Sequence, residues 1–129
     1  MAGVYNLDGS LRSRDLLTMD SWLYAASVGG IVNTVTPVTI KAAAGTNKRN
    51  VITNIQLYSE ALGAATEVVI RDGSSGPVLW RSKIGLGGLL GAEPIVTKIA
   101  GSENTLLEVV TLTASITGAV YFNAQGFVD

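Results

Sequence analysis

The sequence predicts an all-β protein, an antiparallel β-sandwich of jelly-roll-like form with a non-strand N-terminal arm. Three observations carry that expectation. From about Ile31 onward, short runs of β-branched and aromatic residues alternate with connectors rich in glycine and asparagine, which is the pattern of strands and turns. The runs recur at short, regular spacing, as they do in sandwiches and jelly rolls. No long amphipathic helical pattern interrupts them after residue 30.

The chain divides into residues 1–30, an N-terminal arm or short helix, and residues 31–129, the sandwich domain. The first segment mixes leucines, charges and the aromatics Tyr5, Trp22 and Tyr24 without strand alternation. Asp15 is placed to cap a helix running to Ser27, with Leu16, Met19, Leu23 and Ala26 on one face and Gly29-Gly30 ending it. The alternative is an extended arm. Large aromatic anchors suit docking on a partner, and packing on the chain's own domain stays open.

Seven strands are expected after the arm, with a short eighth over residues 86–92. The first, over 32–41, contains Pro37, which marks an edge or a bulge because proline cannot donate to a ladder. Residues 50–59 alternate, placing Val51, Thr53, Ile55 and Leu57 on one face against Asn54, Gln56 and Tyr58. Residues 66–72 set Val68 and Ile70 against Glu67 and Arg71. Residues 78–84 set Val78, Trp80 and Ile84 against Arg81 and Lys83. Residues 94–100 place Ile95 and Ile99 together. Residues 105–113 are apolar on both faces apart from Glu108, as in a central strand or one lying in an interface. Residues 119–128 alternate Val120, Phe122 and Ala124 with Tyr121, Asn123 and Gln125. The connector Asp72-Gly73-Ser74-Ser75-Gly76-Pro77 carries the residues of a tight hairpin loop.

Length and composition bound the function. A chain of 129 residues forms one sandwich that buries about two-thirds of its unfolded surface, enough for a core without staples. Cysteine and histidine are both absent, which removes disulfides, serine–histidine and cysteine–histidine catalysis, and the usual zinc ligands. No catalytic residue, metal site or cofactor is expected. Nine basic residues balance ten acidic ones, without the basic excess of a nucleic-acid binder. No run reaches the roughly 20 apolar residues of a membrane span, and no leader is expected at the N-terminus. Only 15% of residues are charged, against about 25% in ordinary soluble domains. The mean hydropathy is +0.37. Either a well-filled core or burial of surface between subunits accounts for this.

The remaining constellations have bland readings. Most carboxylates fall in turns or on solvent faces, which does not suit a facing catalytic pair. Glu108 lies among Leu106, Leu107, Val109 and Val110 and requires a partner if buried, which Arg71, Arg81 or Lys98 can supply. Gly85-Leu86-Gly87-Gly88 lacks the lysine and the strand–helix unit of a phosphate loop. Asp72-Gly73-Ser74-Ser75 has too few acids for calcium. Lys48, Arg49, Arg71, Arg81 and Lys83 read as a solvated sheet face.

Three stretches carry a family resemblance: Thr66-Glu67-Val68-Val69-Ile70-Arg71-Asp72-Gly73 with Val78-Leu79-Trp80-Arg81; Ala100-Gly101-Ser102-Glu103-Asn104-Thr105-Leu106; and Val120-Tyr121-Phe122-Asn123-Ala124-Gln125-Gly126-Phe127. Together they resemble the small β-sandwich structural proteins of tailed bacteriophages, of the capsid decoration or cement type, over roughly residues 38–129. The resemblance implies a non-enzymatic virion protein on the capsid surface. It also implies a homo-oligomer, a trimer, whose partner is the major capsid protein or another virion protein. Attachment would then run through the arm, with Trp22, Leu23 and Tyr24 as apolar plugs and Arg12 and Arg14 pairing with carboxylates of the partner. Alternatives are a phage tail, fibre or adaptor component and a carbohydrate-binding sandwich module, with Trp80 or Tyr58 as a stacking platform.

Overall fold

A computed structural model of the chain describes residues 20–129, and for residues 90–96 it describes the backbone without the side chains. Among the described residues there is no helix. Nine strands are present: β1 (Ser21–Tyr24), β2 (Ile31–Val32), β3 (Val38–Lys41), β4 (Asn50–Ser59), β5 (Thr66–Asp72), β6 (Val78–Ile84), β7 (Leu89–Ala100), β8 (Leu107–Thr111) and β9 (Ala119–Val128). They form two antiparallel sheets, ordered β1-β9-β4-β7, with β2 also on β9, and β3-β8-β5-β6.

β1 and β2 lie end to end along one edge of β9, with Trp22 opposite Gly126 and Ile31 opposite Val120. They act as one interrupted strand. The chain changes sheet at every connection from β2 to β5, makes the β5–β6 hairpin, then alternates again through β9. This is the eight-strand jelly-roll topology, two Greek keys in two sheets.

The core is the space between the inward rows of the four central strands. Ile52, Ile55 and Leu57 of β4 and Val120, Phe122 and Ala124 of β9 face Val68 and Ile70 of β5 and Leu107 and Val109 of β8. Phe122 sits among aromatics, its ring centroid 6.3 Å from Tyr24 and 6.4 Å from Trp80. The expected alternation in β4 needs one correction. The register shifts between Ile52 and Asn54 against both β7 and β9. The extra residue at Thr53 reverses the phase, so Ile52 and not Thr53 enters the core.

The arm expected over residues 1–30 is corrected over its described part. Residues 21–24 form β1, with Trp22 and Tyr24 packed against the core and Ser21 and Leu23 outside. Among the described residues the sandwich therefore begins at Ser21 and not at Ile31. No helix runs to Ser27, because Asp20 to Tyr24 spend their backbone groups on β9, where Val128 N–H donates to the Asp20 carbonyl at 2.8 Å. Residues 1–19 lie outside the described residues. The run over 32–41 divides into β2 and β3, with Pro37 in the crossing between sheets, where no ladder needs its missing N–H. The short strand over 86–92 merges into β7, which starts at Leu89.

Glu108 has the ion-pair partner that its surroundings require. It points away from the core, 4% exposed, directly opposite Arg71 of β5. Arg71 Nε lies 2.7 Å from its carboxylate, and Ser75 N–H donates to the same oxygen at 3.0 Å. Arg81 and Glu67 form a second pair at 2.7 Å, with the arginine half exposed. Urea unfolding is expected to separate these contributions. Phe122→Ala lowers stability by about 3–5 kcal/mol. Arg71→Ala lowers it by about 2–3 kcal/mol, because a mostly buried carboxylate is left unpaired. Arg81→Ala lowers it by less than about 1 kcal/mol.

Candidate protein-interaction surface

The two ends of the sandwich differ in charge. One end gathers the β3–β4, β5–β6 and β7–β8 connectors, together with Asp20 and Asp129. It contains Lys48, Arg49, Asp72 and Glu103. Its groups satisfy one another: Asn47 N–H donates to Glu103 Oε2 at 2.7 Å, Ser102 N–H to Asp72 Oδ1 at 3.0 Å, and Gly45 N–H to Asn104 Oδ1 at 3.1 Å. The Asp72 loop is thus fully committed to structure.

The opposite end gathers the β2–β3, β4–β5, β6–β7 and β8–β9 connectors. Residues 32–36, 61–66, 84–89 and 112–118 contain no charged side chain. Glu60 lies beside them and is engaged, its Oε1 accepting from Ala119 N–H at 2.9 Å. Val32, Val35, Leu86, Leu89, Leu112 and Ile116 are exposed there, Leu86 by 60% and Ile116 by 61%.

Hydrogen bonds lock these four connectors into one unit. The β4–β5 connector is the hub. Leu62 N–H donates to the Leu86 carbonyl at 2.8 Å, Gly63 N–H to Thr117 at 3.0 Å and Ala64 N–H to Ser115 at 2.9 Å. Asn33 ties in the β2–β3 connector, its N–H donating to Ser115 Oγ at 2.9 Å and its Oδ1 accepting from Ile116 N–H at 3.2 Å. Ser115 is buried, and its hydroxyl donates to the Gly118 carbonyl at 3.0 Å. Gly118 has a φ of +85°, and a Cβ there would run into the Ala61 carbonyl. Only glycine allows that approach. The aliphatic side chains therefore stand on a preorganised base, which limits the ordering entropy lost on docking.

The edges of the second sheet are poorer docking sites. β3 is a four-residue strand with a register shift, and β6 carries exposed Arg81 and Lys83. Short, irregular and charged edges oppose strand addition. Among the described residues no group of three or more acidic, histidine or cysteine side chains converges on a possible metal position. No helix there is long and apolar enough to cross a membrane.

The anchors suggested by the resemblance do not share one surface. Trp22 and Tyr24 face the interior, Leu23 lies 72% exposed on the outside of the first sheet, and Arg12 and Arg14 lie outside the described residues. As for sugar-stacking platforms, Trp80 packs against the core. Tyr58 is paired with Tyr121 across the sheet, with centroids 5.9 Å apart. The aliphatic set on the uncharged end was not singled out from sequence. Its signal is present as four charge-free connectors, and only the topology brings them together. If Ser115 is the keystone of this end, Ser115→Ala costs about 1–3 kcal/mol of stability, because the part-buried Asn33 N–H loses its acceptor and the Gly118 carbonyl its donor. Hydrogen exchange in the variant should then quicken at residues 31–36 and 112–118 and stay unchanged at the charged end.

No protein-family model matches the sequence, and no curated protein is significantly similar to it. Among solved structures, the chain is similar over 85% of its length to a chain in a structure of infectious bursal disease virus, Gx strain, at 12% identity and a TM-score of 0.31. It spans 28% of that chain. A likeness of this degree carries no functional argument.

Proposed function

We propose that this chain is a non-enzymatic structural protein of a virion that works by burying its uncharged loop end against other protein chains. The observation that carries the reading is the set of exposed aliphatic side chains of Val35, Leu86, Leu112 and Ile116 on hydrogen-bonded connectors, with Glu60, Glu67 and Lys83 at its margin. Exposed aliphatic side chains gathered on a preorganised base mark interaction sites. Burying one such side chain fully contributes about 1.5–3 kcal/mol. The low charged fraction of the chain supports the same reading, since interface cores are depleted of charge.

In its finer form the proposal follows the resemblance at residues 66–73, 78–81, 100–106 and 120–127. The protein decorates the surface of a tailed-phage capsid as a trimer, with the major capsid protein or another virion protein under the loop end. Three simultaneous attachments raise avidity without strong single contacts. Leu23, on the outer face of the first sheet, lies off this surface, and Trp22 and Tyr24 serve the fold.

The test uses particles from a culture producing the chain with an affinity tag. The wild type is expected in the particle fraction. A Leu86→Asp/Ile116→Asp double variant should lose about 100-fold or more in affinity, counting roughly 1.4 kcal/mol per tenfold, and stay soluble with an unchanged melting temperature. Absence of the wild type from particles contradicts the reading, as does full incorporation of the double variant.

A further inference from the structure

The interruption between β1 and β2 opens the sandwich along one edge. Residues 25–30 leave the sheet between the two pairings with β9. The excursion is fixed in place: Ala26 N–H donates to Asn123 Oδ1 at 2.9 Å, and Gly30 N–H to the Ser27 carbonyl at 2.9 Å. Gly29 and Gly30 turn the chain back with φ values of +83° and +68°. Across the gap, the β2–β3 connector is held by Thr111 Oγ1, which donates to the Thr34 carbonyl at 2.6 Å.

Between these two lips lies a cleft of about 270 Å³. Its floor is apolar, made by the partly exposed side chains of Ile31, Val38 and Tyr24, with the buried Val120 and Phe122 behind them. Its rim carries the hydroxyls of Ser27, Thr34 and Thr36. Thr34 Oγ1 lies 3.0 Å from Thr36 Oγ1 and accepts from Thr36 N–H at 3.1 Å. When Thr34 donates to Thr36, the Thr36 hydroxyl keeps its own proton for a further acceptor. Among the described residues, no charged side chain lines the cleft.

An apolar cleft with a few convergent polar groups is the usual form of a small-molecule site. We propose that it binds an uncharged amphiphile: a hydrocarbon portion against Ile31, Val38 and the Tyr24 ring, with a hydroxyl or ester head at Thr34 and Thr36. An apolar cavity of about 150 Å³ holds benzene, so a cleft of this size suits roughly ten carbons. The missing rim charge selects the head. A carboxylate would be drawn from water with no cation to meet it, and a neutral head would meet hydroxyls that both donate and accept.

The test titrates the full chain with the apolar fluorophore N-phenyl-1-naphthylamine and displaces it with 1-decanol or decanoate at pH 8. The site predicts fluorophore binding and displacement by decanol at a concentration at least about tenfold below that needed with decanoate. Thr36→Trp and Ala26→Trp, side chains that plug the rim from its accessible side, should each weaken fluorophore binding by about tenfold or more. Both should keep the wild-type melting temperature. Leu86→Asp, at the loop end, should leave binding unchanged, which separates this site from the proposed assembly surface. The inference is overturned by failure of decanol to compete, by equal competition from decanoate, by wild-type binding in both folded plug variants, or by loss of binding in Leu86→Asp.

Discussion

The inward rows of β4, β9, β5 and β8 must bury each other, and every other feature follows from how they do so. Phe122 occupies the middle of that contact, with Tyr24 and Trp80 against it. The bulge at Thr53 restores Ile52 to the core after the strand changes phase. Gly126 leaves its side-chain space to the Val51 carbonyl and the edge of the Trp22 ring. A layer packed this closely is stiff, and it holds the two sets of connectors apart at opposite ends.

Those ends solve the same problem differently. Both must satisfy backbone groups where strands stop. The charged end uses side chains of Asp72, Asn104 and Glu103 as acceptors. The uncharged end joins its connectors through carbonyls and, apart from the Glu60 carboxylate, through the neutral side chains of Asn33, Ser59, Thr66 and Ser115. Backbone partners need no charged groups, so that end is free to expose aliphatic side chains. A single-chain fold gains nothing from placing Leu86 and Ile116 in water. Under the proposed function, a partner that covers them supplies the gain.

Much of this was legible in the sequence. The alternation in 66–72 and 119–128 survives unchanged because those strands are regular and central. The lone acid Glu108 in an apolar run announced its need for a cation, and Arg71 stands opposite it. Thr53 was misplaced because a bulge leaves no mark in a two-residue period. β1 was missed because four residues are too few to show alternation, and its stability comes from β9, about a hundred positions away. The loop end was the least legible feature. Its four connectors are each short stretches of small and aliphatic residues, and nothing local says that they meet.

Comparing amide hydrogen exchange in the free chain and in the assembled state tests the central claim most directly. Burial of the uncharged end predicts new protection concentrated at residues 32–36, 61–66, 84–89 and 112–118, with the connectors at 42–49 and 101–106 unchanged. Protection confined to the charged end, or spread over the sheet faces alone, would contradict the account.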